Sequence, residues 1–182
     1  MNSIKEYQNG DQILKIYQDE NPESPREWDN IGEMLTCHGQ YKLGDKQFSS
    51  PEEIDNYMKE QGVFVKLPLY LLDHSGITMS TKSFNDPWDS GQVGYVFVSK
   101  AKAKTEKVTK KNAIQCMISE VNTYDQYLRG EVYGFQVVKK TKCSLDEEHE
   151  EVLDSCWGFY GYDPKENGIS SHVENFQEFK EI

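Results

Sequence analysis

Residues 83–100, SFNDPWDSGQVGYVFVSK, constrain the fold more than any other part of the chain. They begin with the turn-forming pairs Asp-Pro and Ser-Gly, which predict a tight polar turn with Trp88 at its centre. The residues that follow, VGYVFV, would place no charged or strongly polar side chain on either face of a strand. This pattern is typical of a strand buried on both faces. A polar, aromatic-centred loop held by a rigid strand is a common location for functional residues.

The rest of the chain supplies shorter elements around this strand. Strands are predicted at 12–18, 31–38, 63–72, 77–81, 131–141 and 156–162. A helix is predicted at 50–61, where Ser50 can cap it, Pro51 can open it and Glu53 completes a capping box. A second helix is predicted from Asn112 to Gly130, and a short one near the C-terminus.

This order of elements predicts an α+β fold, with a largely antiparallel sheet of five to seven short strands and two or three packed helices. The 182 residues suggest a single domain, 1–182. Within it, the lysine-rich stretch near 100–111 is expected to be a flexible, solvated segment, and residues 144–154 form an acidic segment.

Composition excludes several classes of protein. A net charge of -11 disfavours a general nucleic-acid binder, which needs lysine and arginine to neutralise phosphates, but it suits a basic partner. No apolar run approaches the roughly 20 residues of a membrane span, and the N-terminus lacks the apolar region of a signal peptide. Four scattered cysteines without a CxxC pair favour reduced thiols, so we expect a cytoplasmic protein without a cofactor or metal.

The recognised catalytic motifs are missing, among them the Walker A, HExxH and GxSxG patterns. One catalytic alternative stays open. Asp86, Asp89 and Glu131 lie next to predicted strands, and several converging carboxylates are what a magnesium-dependent nuclease requires. With 31 acidic residues in the chain, such a set also arises by chance.

The other reading is binding by charge mimicry, in which an acidic surface occupies a groove built for the phosphate backbone. Exposed tryptophans would anchor such a contact. The candidate partner-binding residues are Trp28, Asp29, Asp86, Trp88, Asp89, Glu147, Glu148 and Glu151. A purely structural alternative buries Trp28 as the anchor of its loop, and buries Trp88 while Asp86 and Asp89 cap the turn.

Five stretches carry a resemblance to a known family: SPREWDNIG (24–32), YKLGD (41–45), DPWDSGQVGYVFVSK (86–100), YLRGEVYGF (127–135) and DSCWGFYG (154–161). The chain resembles small proteins of phages and other mobile elements that include type II-A anti-CRISPR proteins. The resemblance implies a protein of the bacterial host cytoplasm that binds the guide-loaded type II CRISPR nuclease and blocks target DNA binding or cleavage.

Such nucleases hold nucleic acid in a positively charged channel, which an acidic inhibitor would complement. Contact with the guide RNA could instead run through Lys102, Lys104, Lys107 and Lys110. A related mode, in which the inhibitor causes the guide RNA to be shortened, would favour the nuclease alternative. A third possibility is a mobile-element protein that binds another host target. The resemblance implies no catalytic residue.

Overall fold

The computed structural model describes residues 2–142 and 148–182, including every side chain in these ranges except those of Lys142 and Glu148. These residues form two compact units. The terminal unit is Met1–Glu23 with Gly130–Ile182, and the inserted unit is Ser24–Arg129. Each unit has a core of its own. The single domain expected from the chain length stays a prediction.

The described strands are β1 (Lys5–Asn9), β2 (Gln12–Gln18), β3 (Glu33–Thr36), β4 (Lys46–Gln47), β5 (Val63–Asp73), β6 (Ile77–Ser80), β7 (Ser90–Ser99), β8 (Val132–Lys142), β9 (Glu148–Tyr160) and β10 (Lys180–Glu181). The helices are α1 (Pro51–Gln61), α2 (Lys100–Thr105), α3 (Lys110–Leu128) and α4 (Ile169–His172), with short 3-10 turns at Pro25–Glu27 and Phe176–Glu178. None of these helices is both long and apolar enough to cross a membrane.

The terminal unit contains a five-stranded antiparallel sheet in the order β10-β1-β2-β8-β9. Strands β2 and β8 are neighbours in this sheet although the whole inserted unit separates them in sequence. Leu14, Phe135 and Ile169 are buried in its core. The indole of Trp157 covers Gly134, where a Cβ atom would lie 2.1 Å from the ring, so only glycine fits there.

The inserted unit contains a second five-stranded sheet in the order β4-β3-β7-β5-β6, antiparallel except for the short β3–β4 pair. Strand β7 lies in the middle of it. On one face, Val96 and Val98 pack with Met117 of α3. On the other face, Phe97 packs with Ile54 of α1. The prediction of a strand buried on both faces is therefore confirmed.

The α+β class with largely antiparallel pairing is confirmed, although the described strands outnumber the predicted ones and form two sheets. The extra elements include β4 and β10, which have two residues each and leave no periodic signal. Strand β9 begins well before the predicted 156, within the stretch expected as an acidic segment. Part of that segment, residues 144–147, lies outside the described residues.

The lysine-rich stretch at 100–111, expected to be a flexible segment, is helical at Lys100–Thr105 and again from Lys110. Its flexibility stays a prediction. The hydroxyl of Ser99 accepts a hydrogen bond from the Lys102 amide at 3.1 Å and caps α2, and Ala103 is buried against the core. Thr109 caps α3 in the same way, with a 3.2 Å bond from the amide of Asn112. Capping, the buried Ala103 and the ion pairs of Lys102 with Asp29 and Glu106 support α2 in spite of the repulsion among its lysines.

Candidate functional site

The turn that leads into β7 is fixed by the carboxylate of Asp86. Its Oδ1 accepts hydrogen bonds from the amides of Trp88 and Asp89 at 2.9 and 3.0 Å. The hydroxyl of Ser90 closes the turn by donating to the carbonyl of Asp86. The two amides hold the pKa of Asp86 below its ordinary value, because they stabilise the ionised form. The capping role predicted for Asp86 by the structural alternative is thus present.

The side chain of Trp88 is 92% exposed. The structural alternative that buried this ring is therefore wrong. Three hydrogen bonds already order the backbone of this turn, so little backbone freedom would be lost when a partner covers the ring. An exposed indole on an ordered turn is thus suited to anchor another molecule.

Asp89 does not cap the turn with its side chain. Its Oδ2 lies 2.8 Å from Nδ1 of His74, which is in the turn between β5 and β6. The hydrogen bond to this carboxylate raises the pKa of His74 above its usual value. Nearby, the hydroxyl of Tyr41 donates to Oδ2 of Asp73 at 3.0 Å, and the Tyr41 ring stacks on His38 at 5.2 Å. These contacts tie three loops of the inserted unit together around the Trp88 turn.

A cavity of about 430 Å³ opens beside this turn, and we call it the Trp88 groove. Trp88, Asp89, Asp73, His38 and the first residues of β7 line it. Asp73 and Asp89 are the acidic residues of its lining, which contains neither lysine nor arginine. The Asp73 carboxylate accepts from Tyr41, and the Asp89 carboxylate pairs with His74. In an acidic protein, this concave surface with an exposed indole at its rim favours a cationic ligand group, through both charge and cation–π attraction.

A different network fixes the loop around Trp28. Nε and Nη2 of Arg26 donate to the two carboxylate oxygens of Asp45 at 3.0 and 2.6 Å, and Nη2 also donates to the carbonyl of Gly32 at 2.6 Å. The carboxylate of Glu120 accepts from the amides of Ile31 and Gly32 at 2.7 and 3.0 Å. Burial raises the pKa of Glu120, an effect that these amides partly offset.

Arg26 and not Trp28 is therefore the anchor of this loop. The side chain of Arg26 is 6% exposed, whereas Trp28 is 46% exposed, so the prediction of a buried Trp28 is wrong. The sequence did not identify Arg26 and Asp45 as partners, because 19 positions separate them. Trp28 and Asp29 line a second cavity of about 370 Å³, in which Asp29 pairs with Lys102 at 2.9 Å.

The predicted nuclease carboxylates belong to different units of the chain. Asp86 and Asp89 lie in the inserted unit and Glu131 lies in the terminal unit. The Asp86 carboxylate accepts hydrogen bonds from backbone amides, and the Asp89 carboxylate is bonded to His74. Across residues 2–142 and 148–182, no group of three histidine, cysteine, aspartate or glutamate side chains is arranged to hold a metal ion.

The remaining predicted binding residues are spread over the chain. Glu147 lies outside the described residues, Glu148 starts β9, and Glu151 is exposed on β9 opposite Lys139. Lys102 is paired with Asp29 and with Glu106, while Lys104, Lys107 and Lys110 are exposed. A contact between these lysines and the guide RNA stays a prediction.

No protein-family model matches the chain, and neither does any curated protein or solved structure.

Proposed function

We propose that this protein is an inhibitor of a type II CRISPR nuclease, which binds the guide-loaded enzyme in the bacterial cytoplasm and blocks target DNA binding or cleavage. The observation that carries the proposal is Trp88, an indole 92% exposed at the tip of a hydrogen-bonded turn. Single apolar side chains are common on protein surfaces, so the position of this ring is what matters: it lies at the rim of the Trp88 groove, on a turn whose backbone is already ordered. Tryptophan is also among the side chains most often found at the energetic centre of an interface.

Charge supports the same proposal. The chain carries a net charge of -11. In the Trp88 groove, Asp73 adds a carboxylate, whereas Asp89 is paired with His74. A guide-loaded nuclease offers a positively charged channel for its nucleic acid, so the two fields are complementary. The resemblance of the Trp88 turn and four further stretches to anti-CRISPR proteins names this partner among all basic ones.

The proposal is tested with the purified protein and an immobilised guide-loaded nuclease. We expect binding at moderate salt, weaker binding as the salt concentration rises, and protection of the target DNA from cleavage. Absence of both binding and protection would overturn the proposal. A nuclease without guide RNA serves as the comparison that shows whether the guide-loaded form is required.

A further inference from the structure

One stretch of β7 lacks a neighbour on one side. Strand β3 pairs with β7 up to Thr36, and the last contact is a 2.7 Å bond from the amide of Cys37 to the carbonyl of Val93. Strand β7, however, begins at Ser90. Its first residues pair with β5 on the far side, and in the described part of the chain no strand continues β3 alongside them.

The backbone groups of this stretch point into the gap. The amide of Asp73 donates to the carbonyl of Asp89 at 2.8 Å, a bond that flanks the Leu72–Ser90 pair. Ser90 is therefore in a non-hydrogen-bonded pair, and its own N–H and C=O point away from β5. Gln92 comes two residues later, before the register shift at Val93, and its pair with Tyr70 is of the same kind, so its N–H and C=O point the same way. The side chains of Ser90 and Gln92 are engaged locally, by the carbonyls of Asp86 and of Gly94.

The gap coincides with the Trp88 groove, which residues on both alternating sides of β7 line. A smaller and more apolar cavity of about 200 Å³ shares Gln92 and Val93 with it and reaches Ile54 and Tyr95. The surface beside the open edge therefore has an acidic end at Trp88 and Asp89 and an apolar end below α1.

We propose that this groove receives an extended segment of the partner by strand addition, beside Ser90 and Gln92 and beyond the end of β3. This inference rests on the proposed function and names the contact that would serve it. Backbone hydrogen bonds to an open strand supply affinity, and pockets for alternate side chains supply specificity. Here the segment carries arginine or lysine toward Trp88 and Asp89, and an aliphatic side chain toward the apolar cavity.

Charge argues for a basic partner segment and against a second copy of this chain. Two copies paired through the same edge would bring their Asp73 and Asp89 carboxylates together, and like charges across paired strands are destabilising. The exposed ring of Trp88 also attracts a guanidinium, which can stack on its face.

The probe is an acetylated and amidated heptapeptide of alternating valine and arginine, compared with one of alternating valine and glutamate. We expect the arginine peptide to bind at least about tenfold more tightly, because the groove discriminates by charge. The amide signals of Ser90 and Gln92 should shift in NMR spectra. Methylating alternate backbone nitrogens of the arginine peptide should abolish binding, because the added strand then cannot donate.

A matched pair of variants tests the backbone contact. Gln92→Pro removes an N–H that points into the gap and takes no bond to β5, whereas Gln92→Ala keeps it. The alanine variant should bind like the original protein, and the proline variant at least about tenfold more weakly, with its fold checked by circular dichroism. Equal binding of both peptides, shifts elsewhere on the protein, or self-association that Gln92→Pro abolishes would overturn the inference.

This outcome is separable from that of the proposed function. Peptide binding without any nuclease binding would support strand addition in the groove and overturn the nuclease as the partner. Nuclease binding that Gln92→Pro leaves unchanged would support the inhibitor and overturn strand addition.

Discussion

Replacing Glu120 with alanine should destabilise the inserted unit strongly, although this residue lies far in sequence from the loop it supports. The substitution leaves the amides of Ile31 and Gly32 without their acceptor. It also removes the carboxylate 3.8 Å from Nη1 of Arg26. Each orphaned donor costs about 1–3 kcal/mol when it is screened from water.

The lower half of that range applies, because the Glu120 side chain is 15% exposed and its own burial already costs free energy, as the raised pKa indicates. We therefore expect the free energy of unfolding to fall by about 3 kcal/mol. In a chain of this size that corresponds to a melting temperature lower by about 6–12 °C. Glu120→Gln keeps one acceptor oxygen, so its free energy of unfolding should lie between those of the original protein and Glu120→Ala.

The measurement is urea unfolding of the full chain followed by far-UV circular dichroism. The matched control is Glu60→Ala, which removes an exposed glutamate from α1 and should change the unfolding free energy by less than about 0.5 kcal/mol. A loss below about 1 kcal/mol for Glu120→Ala would refute the reasoning, because the two amides would then have found water instead.

Two further predictions follow from the sheet and its turns. In an NMR titration, His74 should show a pKa above its usual value of about 6.5, and Asp89→Asn should lower it. The stabilisation from this pair is complete below about pH 6.5 and is lost as pH rises through the raised pKa of His74. Gly94→Ala should cost more than about 3 kcal/mol, because its Cβ would lie 1.9 Å from the carbonyl oxygen of Leu35. Gly91→Ala, on the same strand with open space around it, should leave urea unfolding nearly unchanged.

Local signals explain which elements could be predicted from the sequence. For α1, the hydroxyl of Ser50 does accept from the amide of Glu53, Pro51 opens the helix, and Gly62 ends it at a φ of 71°. The capping box differs in one detail, since the Glu53 carboxylate accepts from Ser49 rather than from Ser50. Such contacts span a few residues, so the composition of a short window determines them.

Contacts between distant residues explain what could not be predicted. Arg26 and Asp45 are 19 positions apart, and Glu120 is 88 positions from Gly32, so no periodic pattern links them. The exposure of Trp28 was predicted wrongly for the same reason, because the loop is held by Arg26 instead. Exposure of a single aromatic residue depends on which elements pack over it, and that is set by tertiary structure.

The sequence did locate the Trp88 turn as the candidate site, because turn residues directly before an apolar strand are a local pattern. It could not assign the roles within the turn. Asp86 holds the backbone and Asp89 binds His74, which is 15 positions away. It also could not show that β3 stops short of Ser90, since the open edge depends on the register of two strands.

The central claim is that Trp88 anchors the protein on the guide-loaded nuclease. The most direct test compares the dissociation constants of Trp88→Ala and the unchanged protein for that complex. Leu153→Ala is the matched control, because it removes an apolar side chain that is 45% exposed in the terminal unit. We predict that Trp88→Ala weakens binding at least about thirtyfold, as expected for a residue worth about 2 kcal/mol or more, with unfolding free energy unchanged. Equal dissociation constants for Trp88→Ala and Leu153→Ala would contradict the claim.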